Sequence, residues 1–160
     1  MDKGYVQVFC GNGDGKSSAA FGKGLIAASE GKSVIIVQFL KEQIGSETQF
    51  FQRLEPEIKL FRFEKSSTCF NELSIEDKKE EITNIRNGLN YVKKVLTTGE
   101  CDLLILDEVL GLVDGGIIDV SELVPILEAR WEEVSILLTG IVLPEEIKKY
   151  VDYISNIDTI

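Results

Sequence analysis

The sequence predicts an α/β fold, in which a mostly parallel sheet carries helices on both of its faces. Short apolar runs alternate with amphipathic stretches along the chain, as expected of repeated strand–helix–strand units. Two of the runs, "SVIIVQFL" (33–40) and "CDLLILDE" (101–108), are almost continuously apolar, as in strands buried on both faces. A glycine-rich turn joins the first apolar run to the first amphipathic stretch, and folds of this class bind ligands at the carboxyl ends of their strands.

The first half of the chain supplies three of the predicted strands. "YVQVFC" (5–10) is the first, and a helix from Lys16 to about Glu30 follows it and ends near Gly31. The second strand is the run at 33–40. A polar connection with room for a short helix then leads to "IKLFRF" (58–63), the third strand.

The longest predicted helix begins after Ser74. This residue and Asp77 resemble a capping box, with aspartate in place of the usual glutamate. Apolar residues then recur at three- and four-residue steps, which places them on one helical face. These residues are Ile82, Ile85, Leu89, Val92 and Leu96. The "TTG" at 97–99 ends the helix.

The last third of the chain repeats the alternation. The strand at 101–108 is followed by a loop at 107–116, and Asp119 with Glu122 then opens a second capped helix that runs to about Arg130. A further strand (134–140), a short helix starting near Pro144 and a last strand within "YISNIDTI" (153–160) complete the predicted order. The loops at 10–17 and 107–116 both follow strands, so we expect them at the same edge of the sheet.

Length, composition and charge bound the class of protein. A chain of 160 residues, 44% hydrophobic and 28% charged, is expected to form a single domain over residues 1–160. No apolar run approaches the roughly 20 residues that span a membrane, and the first ten residues do not resemble a signal peptide, so we expect a cytoplasmic location. The net charge of −10 argues against nucleic acid and anionic membranes as partners.

Two residue types narrow the chemistry further. The chain has no histidine, which excludes histidine-based triads and histidine metal ligands. The three cysteines, Cys10, Cys69 and Cys101, are odd in number and widely spaced, so we expect small buried residues and neither a disulfide framework nor a metal cluster.

The stretch "CGNGDGKSSAAFGKG" (10–24) nearly matches the phosphate-binding pattern G-x-x-x-x-G-K-[ST]. Gly15, Lys16 and Ser17 supply its last three positions, while Cys10 stands where the pattern has its first glycine. Alternating glycines let the backbone turn its N–H groups toward one point, and the helix that follows adds the positive end of its dipole. Lys16 adds a charge, and Ser17 offers a hydroxyl to Mg²⁺. The stretch therefore predicts an anion site, with a ligand-free glycine turn as the alternative.

A second acidic pattern supports a nucleotide site. "LLILDE" ends in Asp107 and Glu108, the form of a Walker B strand, whose acids orient Mg²⁺ and its waters. An acidic pair at the end of a strand is common on its own. Together with the phosphate loop it predicts a P-loop nucleotide-binding architecture.

Five segments carry a resemblance to a known family. "GNGDGKSSAAFG", "GKSVIIVQFLK", "DLLILDEV", "ILEARWEEVSILLTG" and "VDYIS" are similar to the P-loop ATP:corrinoid (cob(I)alamin) adenosyltransferases. They span about residues 4–41 and 101–156, in order and at regular places. The phosphate loop of that family also lacks the usual first glycine, so Cys10 is a family-like feature.

The resemblance implies a specific reaction. Members of the family transfer the 5′-deoxyadenosyl group of ATP to Co(I) of a corrinoid and release triphosphate, with ATP lying in the loop in the reverse of the common direction. They are transferases, and usually homodimers. The nucleophile is the Co(I) of the corrinoid, so no protein residue need act as nucleophile or general base. Positioning and charge stabilisation remain as the tasks of the protein.

The resemblance also implies site residues. The backbone N–H groups along the loop then donate to the phosphates, Lys16 binds phosphate oxygens, Ser18 adds a phosphate contact and Lys41 reaches the nucleotide. Ser17 and Glu108 contact Mg²⁺, and Asp107 supports that shell. The loop residues are Gly11, Asn12, Gly13, Asp14 and Gly15.

The chain departs from the family in several places. The family usually has lysine at the position of Asp14 and often arginine at that of Ile141. Its aromatic corrinoid contacts fall in a region that reads "FRFEKSSTCF" (61–70) here, and these 160 residues hold no counterpart of its basic segment after the last strand. Two alternatives therefore stay open. One is a P-loop ATPase that releases orthophosphate, with Glu108 orienting water, and the other is an ATP-binding module without catalysis.

Overall fold

In a computed structural model, which describes residues 3–40, 46–63 and 70–160, six strands form one sheet. The strand order is β3-β2-β4-β5-β1-β6, and every neighbouring pair is parallel. The strands are β1 (Val6–Cys10), β2 (Val34–Gln38), β3 (Ile58–Arg62), β4 (Leu103–Asp107), β5 (Ser135–Thr139) and β6 (Tyr153–Asn156). The predicted α/β class is confirmed, and each predicted strand is present.

Five α-helices accompany the sheet within the described ranges. They are α1 (Lys16–Ser29), α2 (Ser46–Gln52), α3 (Ile75–Thr98), α4 (Val109–Asp114) and α5 (Val120–Glu128). Single 3-10 segments lie at Phe70–Glu72 and Glu145–Tyr150. None of the described helices is long and apolar enough to cross a membrane.

The helix boundaries follow from local side-chain chemistry. The Ser74 hydroxyl accepts a hydrogen bond from the Asp77 N–H at 3.1 Å, and Asp119 and Glu122 form a reciprocal capping box. Helix α3 ends at Gly99, which adopts the left-handed φ of 65° that glycine tolerates best. The prediction of a loop at 107–116 was wrong in part, because "VLGLVD" forms α4. The apolar residues of this segment recur at three-residue spacing, which is typical of a helix.

Helices cover both faces of the sheet, as predicted. One face packs α3, α4 and α5 in a core that includes Ile85, Leu96 and Leu123. The other face packs α1 and α2 in a smaller core with Ala20 and Phe51. The strands between them are buried over their full length in β1, β2 and β4, which explains their nearly continuous apolar sequences.

Cys101 lies just before β4 and is expected to resist alkylation. Burial, with smaller contributions from Asp102 and Glu100, raises the pKa of its thiol from 9.0 to about 12. Because the thiolate is the reactive form, we expect iodoacetamide at pH 8 to modify Cys101 at least about a hundredfold more slowly in the folded chain than in urea. Peptide mapping by mass spectrometry measures both rates, and equal rates would contradict the burial of this thiol.

Candidate phosphate and metal site

The loop after β1 has the backbone of an anion cradle. Gly11 and Gly15 adopt φ values of 107° and 103°, which only glycine reaches without strain. Helix α1 begins at Lys16, so its positive N-terminal end opens onto the loop. The Lys16 Nζ donates to the carbonyl of Gly13 at 2.6 Å, which holds the ammonium group over the loop. In the described part of the chain, the N–H groups of residues 15–17 have no intramolecular acceptor.

The acid at the end of β4 is joined directly to this loop. The Ser17 hydroxyl donates to Asp107 Oδ1 at 2.6 Å, and the Thr139 hydroxyl donates to the same oxygen at 2.9 Å. Gln38 Nε2 donates to Asp107 Oδ2 at 3.3 Å. Ser17 and Asp107 are therefore in direct contact, although the two residues are separated by 90 positions.

Sequence reasoning missed two members of this cluster, Gln38 and Thr139. Both belong to the few polar side chains buried in the described part of the chain, as does Asp107. The strand order explains their position, because β2 and β5 are the two neighbours of β4. A polar residue at the last position of a strand, directly after a run of apolar residues, was the available signal for each.

Glu108 follows Asp107 in a conformation unusual for its residue type. Its φ of 64° and ψ of 15° lie in the left-handed region, and it caps the start of α4. Its N–H donates to the Thr139 hydroxyl at 2.8 Å, so one hydroxyl links both acids of the pair. Strained non-glycine residues of this kind concentrate at functional sites.

The strain at Glu108 gives a stability prediction. We expect Glu108→Gly to be about 1 kcal/mol more stable than Glu108→Ala, since both remove the carboxylate but only alanine keeps a Cβ at positive φ. Urea unfolding of the two variants measures the difference. An alanine variant as stable as the glycine variant would show that the backbone there is not strained.

Apart from Ser18, the remaining predicted phosphate contacts divide into three groups. The N–H groups of Asn12, Gly13 and Asp14 donate to the segment after β6, at 3.4, 2.7 and 3.0 Å. The N–H of Gly11 donates to the carbonyl of Ile141 at 2.9 Å. Lys41 lies outside the described residues.

Ser18 faces a groove between α1 and α2. The groove has a volume of about 570 Å³ and starts at the phosphate loop with Ser17 and Ser18. Its walls are mainly apolar and aromatic, and include Phe21, Phe50 and Phe51. Phe50 is 53% exposed, so this surface is open to a ligand.

The aromatic residues of the middle region pack inward. Phe61 and Phe63 lie 4.9 and 5.8 Å from the ring of Tyr91, measured between centroids. Together with Phe70 they are partly buried against the core under α3. Their packing favours a structural role over the corrinoid contact that the family resemblance suggested for this stretch.

Cys10 occupies the first position of the phosphate pattern and is buried. It pairs with Asn156 in the β1–β6 register, and its Sγ lies 3.8 Å from Asn156 Oδ1. Burial and then the nearby Asp158 raise the pKa of its thiol, so it stays protonated at neutral pH. Cys10 is thus a packing residue and not a reactive thiol.

Comparisons with known proteins point to one enzyme family. A profile of the family described as "ATP:corrinoid adenosyltransferase BtuR/CobO/CobP" matches residues 2–160. The corrinoid adenosyltransferase of Escherichia coli (strain K12) is 28% identical over 156 residues, covering 98% of this chain and 77% of the relative. The corrinoid adenosyltransferase CobA of Salmonella typhimurium (strain LT2) is 27% identical with the same coverage.

A solved structure supports the architecture alone. The KaiC-like protein of Pyrococcus horikoshii has a TM-score of 0.56 at 17% identity, and the match covers 89% of this chain and 65% of that one. At such identity the likeness concerns the fold, and it agrees with the predicted α/β class.

Proposed function

Because the chain belongs to the ATP:corrinoid adenosyltransferase family, we infer that it transfers the 5′-deoxyadenosyl group of ATP to a corrinoid and releases triphosphate. The observation that carries this function is the match of the family profile over residues 2–160, on a chain whose phosphate loop and strand-end acids meet at one site. The groove beside Ser18 adds an apolar surface next to the loop, which a substrate larger than the triphosphate can use.

The reaction requires little covalent chemistry from the protein. The Co(I) of the corrinoid attacks C5′ of ATP, the carbon–oxygen bond to the triphosphate breaks, and the triphosphate leaves with the electron pair. The open N–H groups of residues 15–17 and the Lys16 ammonium bind the phosphate oxygens and stabilise the charge on the leaving group. A protein without histidine is compatible with this mechanism.

Magnesium fits the oxygen groups that surround the loop. Mg²⁺ prefers hard oxygen ligands and usually keeps few protein ligands beside phosphates and water. The Ser17 hydroxyl and the Glu108 carboxylate would hold it, and Asp107, which already accepts from Ser17 at 2.6 Å, would orient that hydroxyl. When bound, the ion supplies positive charge to the triphosphate. This matters in a chain with a net charge of −10.

The other properties of the family extend the proposal. We propose a homodimer in the cytoplasm, a single domain over residues 1–160, and no nucleic acid or membrane partner. The support is the usual state of the family and the acidic composition of the chain. Sedimentation at micromolar concentration tests the dimer.

The experiment that tests the activity is a product assay with strictly reduced corrinoid, Mg²⁺ and ATP. We expect adenosylcorrinoid and triphosphate in equal amounts. Orthophosphate in place of triphosphate would instead show a P-loop ATPase. Folded protein that binds ATP but forms neither product would identify an ATP-binding module. Circular dichroism confirms folding in each preparation.

A further inference from the structure

Residues 157–159 lie along the phosphate loop and continue the pairing between β1 and β6. That pairing ends with Cys10 opposite Asn156. The N–H of Ile157 then donates to the Cys10 carbonyl at 2.7 Å, and the Gly13 N–H donates to the Ile157 carbonyl at 2.7 Å. The contact is close, since a Cβ on Gly13 would lie 2.6 Å from the backbone N of Thr159.

Side-chain oxygens of the same segment occupy the neighbouring loop donors. Asp158 Oδ1 accepts from the Asn12 N–H at 3.4 Å, and the Thr159 hydroxyl accepts from the Asp14 N–H at 3.0 Å. The other carboxylate oxygen of Asp158 accepts from Asn156 Nδ2 at 2.6 Å, which fixes the carboxylate in place. Three successive N–H groups of the loop therefore have acceptors from residues 157–159.

The loop donors thus divide into two sets. Those of residues 12–14 are taken by a carboxylate, a carbonyl and a hydroxyl of the same chain, while those of residues 15–17 have no acceptor among the described residues. A bound phosphate chain would present the same kind of oxygen acceptors to the same donors. The carboxylates of Asp14 and Asp158 would also repel it.

We propose that residues 157–159 occupy the place of part of a polyphosphate on the loop. Asp158 and Thr159 then limit the affinity of the loop for long polyphosphates. With the segment in place, the backbone N–H groups of residues 15–17 and the side-chain ammonium of Lys16 bind one phosphate group. A second and third group gain the donors of residues 12–14 only when the segment moves away. The proposal rests on the proposed function in one respect, because it takes residues 11–17 as the triphosphate site.

Two substitutions test this without removing any part of the chain. Asp158→Asn removes the charge but keeps the oxygen acceptor, and Thr159→Val removes the acceptor without changing charge or volume much. Glu128→Gln, an exposed acid at the end of α5 near the opposite edge of the sheet, is the control for net charge. Calorimetric titrations with orthophosphate and with tripolyphosphate, both with Mg²⁺, measure the two affinities.

We expect Asp158→Asn and Thr159→Val each to lower the Kd for tripolyphosphate by about three- to tenfold, as for exposed charges and hydrogen bonds. The Kd for orthophosphate should change less than about twofold in either variant. In the free protein, Thr159→Val should also speed hydrogen exchange of the Asp14 N–H, because that donor loses its acceptor. Glu128→Gln should leave both affinities unchanged.

The outcomes separate this proposal from the proposed function. Unchanged or weaker tripolyphosphate binding in both variants, with binding that still depends on Lys16, overturns the role of residues 157–159 and leaves the site intact. An equal increase in affinity for orthophosphate and tripolyphosphate also overturns the proposed role of residues 157–159, since a general charge effect then explains both increases. Tripolyphosphate binding in no form of the protein, or binding unaffected by Lys16→Ala, overturns both.

Discussion

Lys16→Ala is expected to reduce adenosyl transfer by about 10²–10³-fold and to weaken tripolyphosphate binding strongly. The ammonium group lies over the phosphate loop, where it donates to the Gly13 carbonyl at 2.6 Å. It is the basic side chain of the loop, in surroundings that also hold the carboxylates of Asp14 and Asp107. Its loss therefore removes the positive side-chain charge that the loop itself offers to the departing triphosphate.

The measurement is the steady-state rate of triphosphate release at saturating corrinoid, together with the Kd for tripolyphosphate. Lys93→Ala, which removes the same charge from an exposed position on α3, serves as the control and should keep wild-type rates. A Lys16→Ala protein with undiminished turnover would show that the loop does not carry the triphosphate.

Asp107→Ala is expected to destabilise the protein by about 3 kcal/mol and to abolish turnover. The carboxylate is fully buried and accepts from Ser17, Thr139 and Gln38. Alanine leaves these three donors without the acceptor they share, and the cost of burying an unpaired polar group is larger than the value of the bond itself. Urea denaturation with matched activity assays measures both effects.

Asp107→Asn separates packing from charge. The amide oxygen can still accept from the two hydroxyls, so we expect a loss of only about 1 kcal/mol. Turnover should nevertheless fall, because the negative charge that supports the metal site is gone. An asparagine variant with full activity would restrict Asp107 to a structural role.

Much of the fold follows from local sequence signals. The β-branched runs at 33–40 and 101–108 mark buried strands, and the caps at Ser74 and Asp119 mark helix starts. The structure confirms these elements, with boundaries shifted by a few residues at most. The order of the strands in the sheet could not be predicted from the sequence, because it depends on which apolar faces meet after the chain has folded.

The sequence predicted the two parts of the candidate site, the phosphate loop and the acids at the end of β4, but not the contacts that join them. The loop at 10–17 and the acids at 107–108 were visible as patterns, since the first nearly matches a phosphate-binding loop and the second ends a buried strand. Thr139 and Gln38 were not, because a single polar residue at a strand end is common. The contact of residues 157–159 with the loop depends on the β1–β6 register, which no short-range pattern encodes.

Helix α3 is much longer than the strands against which it packs. Its 24 residues span about 36 Å, whereas a five-residue strand spans about 17 Å. The helix ends at Gly99, just before β4 begins, and its first buried side chain is Glu81. Its opening turns therefore extend past the carboxyl edge of the sheet. Because α3 packs on the face of the sheet opposite to α1 and α2, this projecting part of the helix lies across the sheet from the groove beside Ser18.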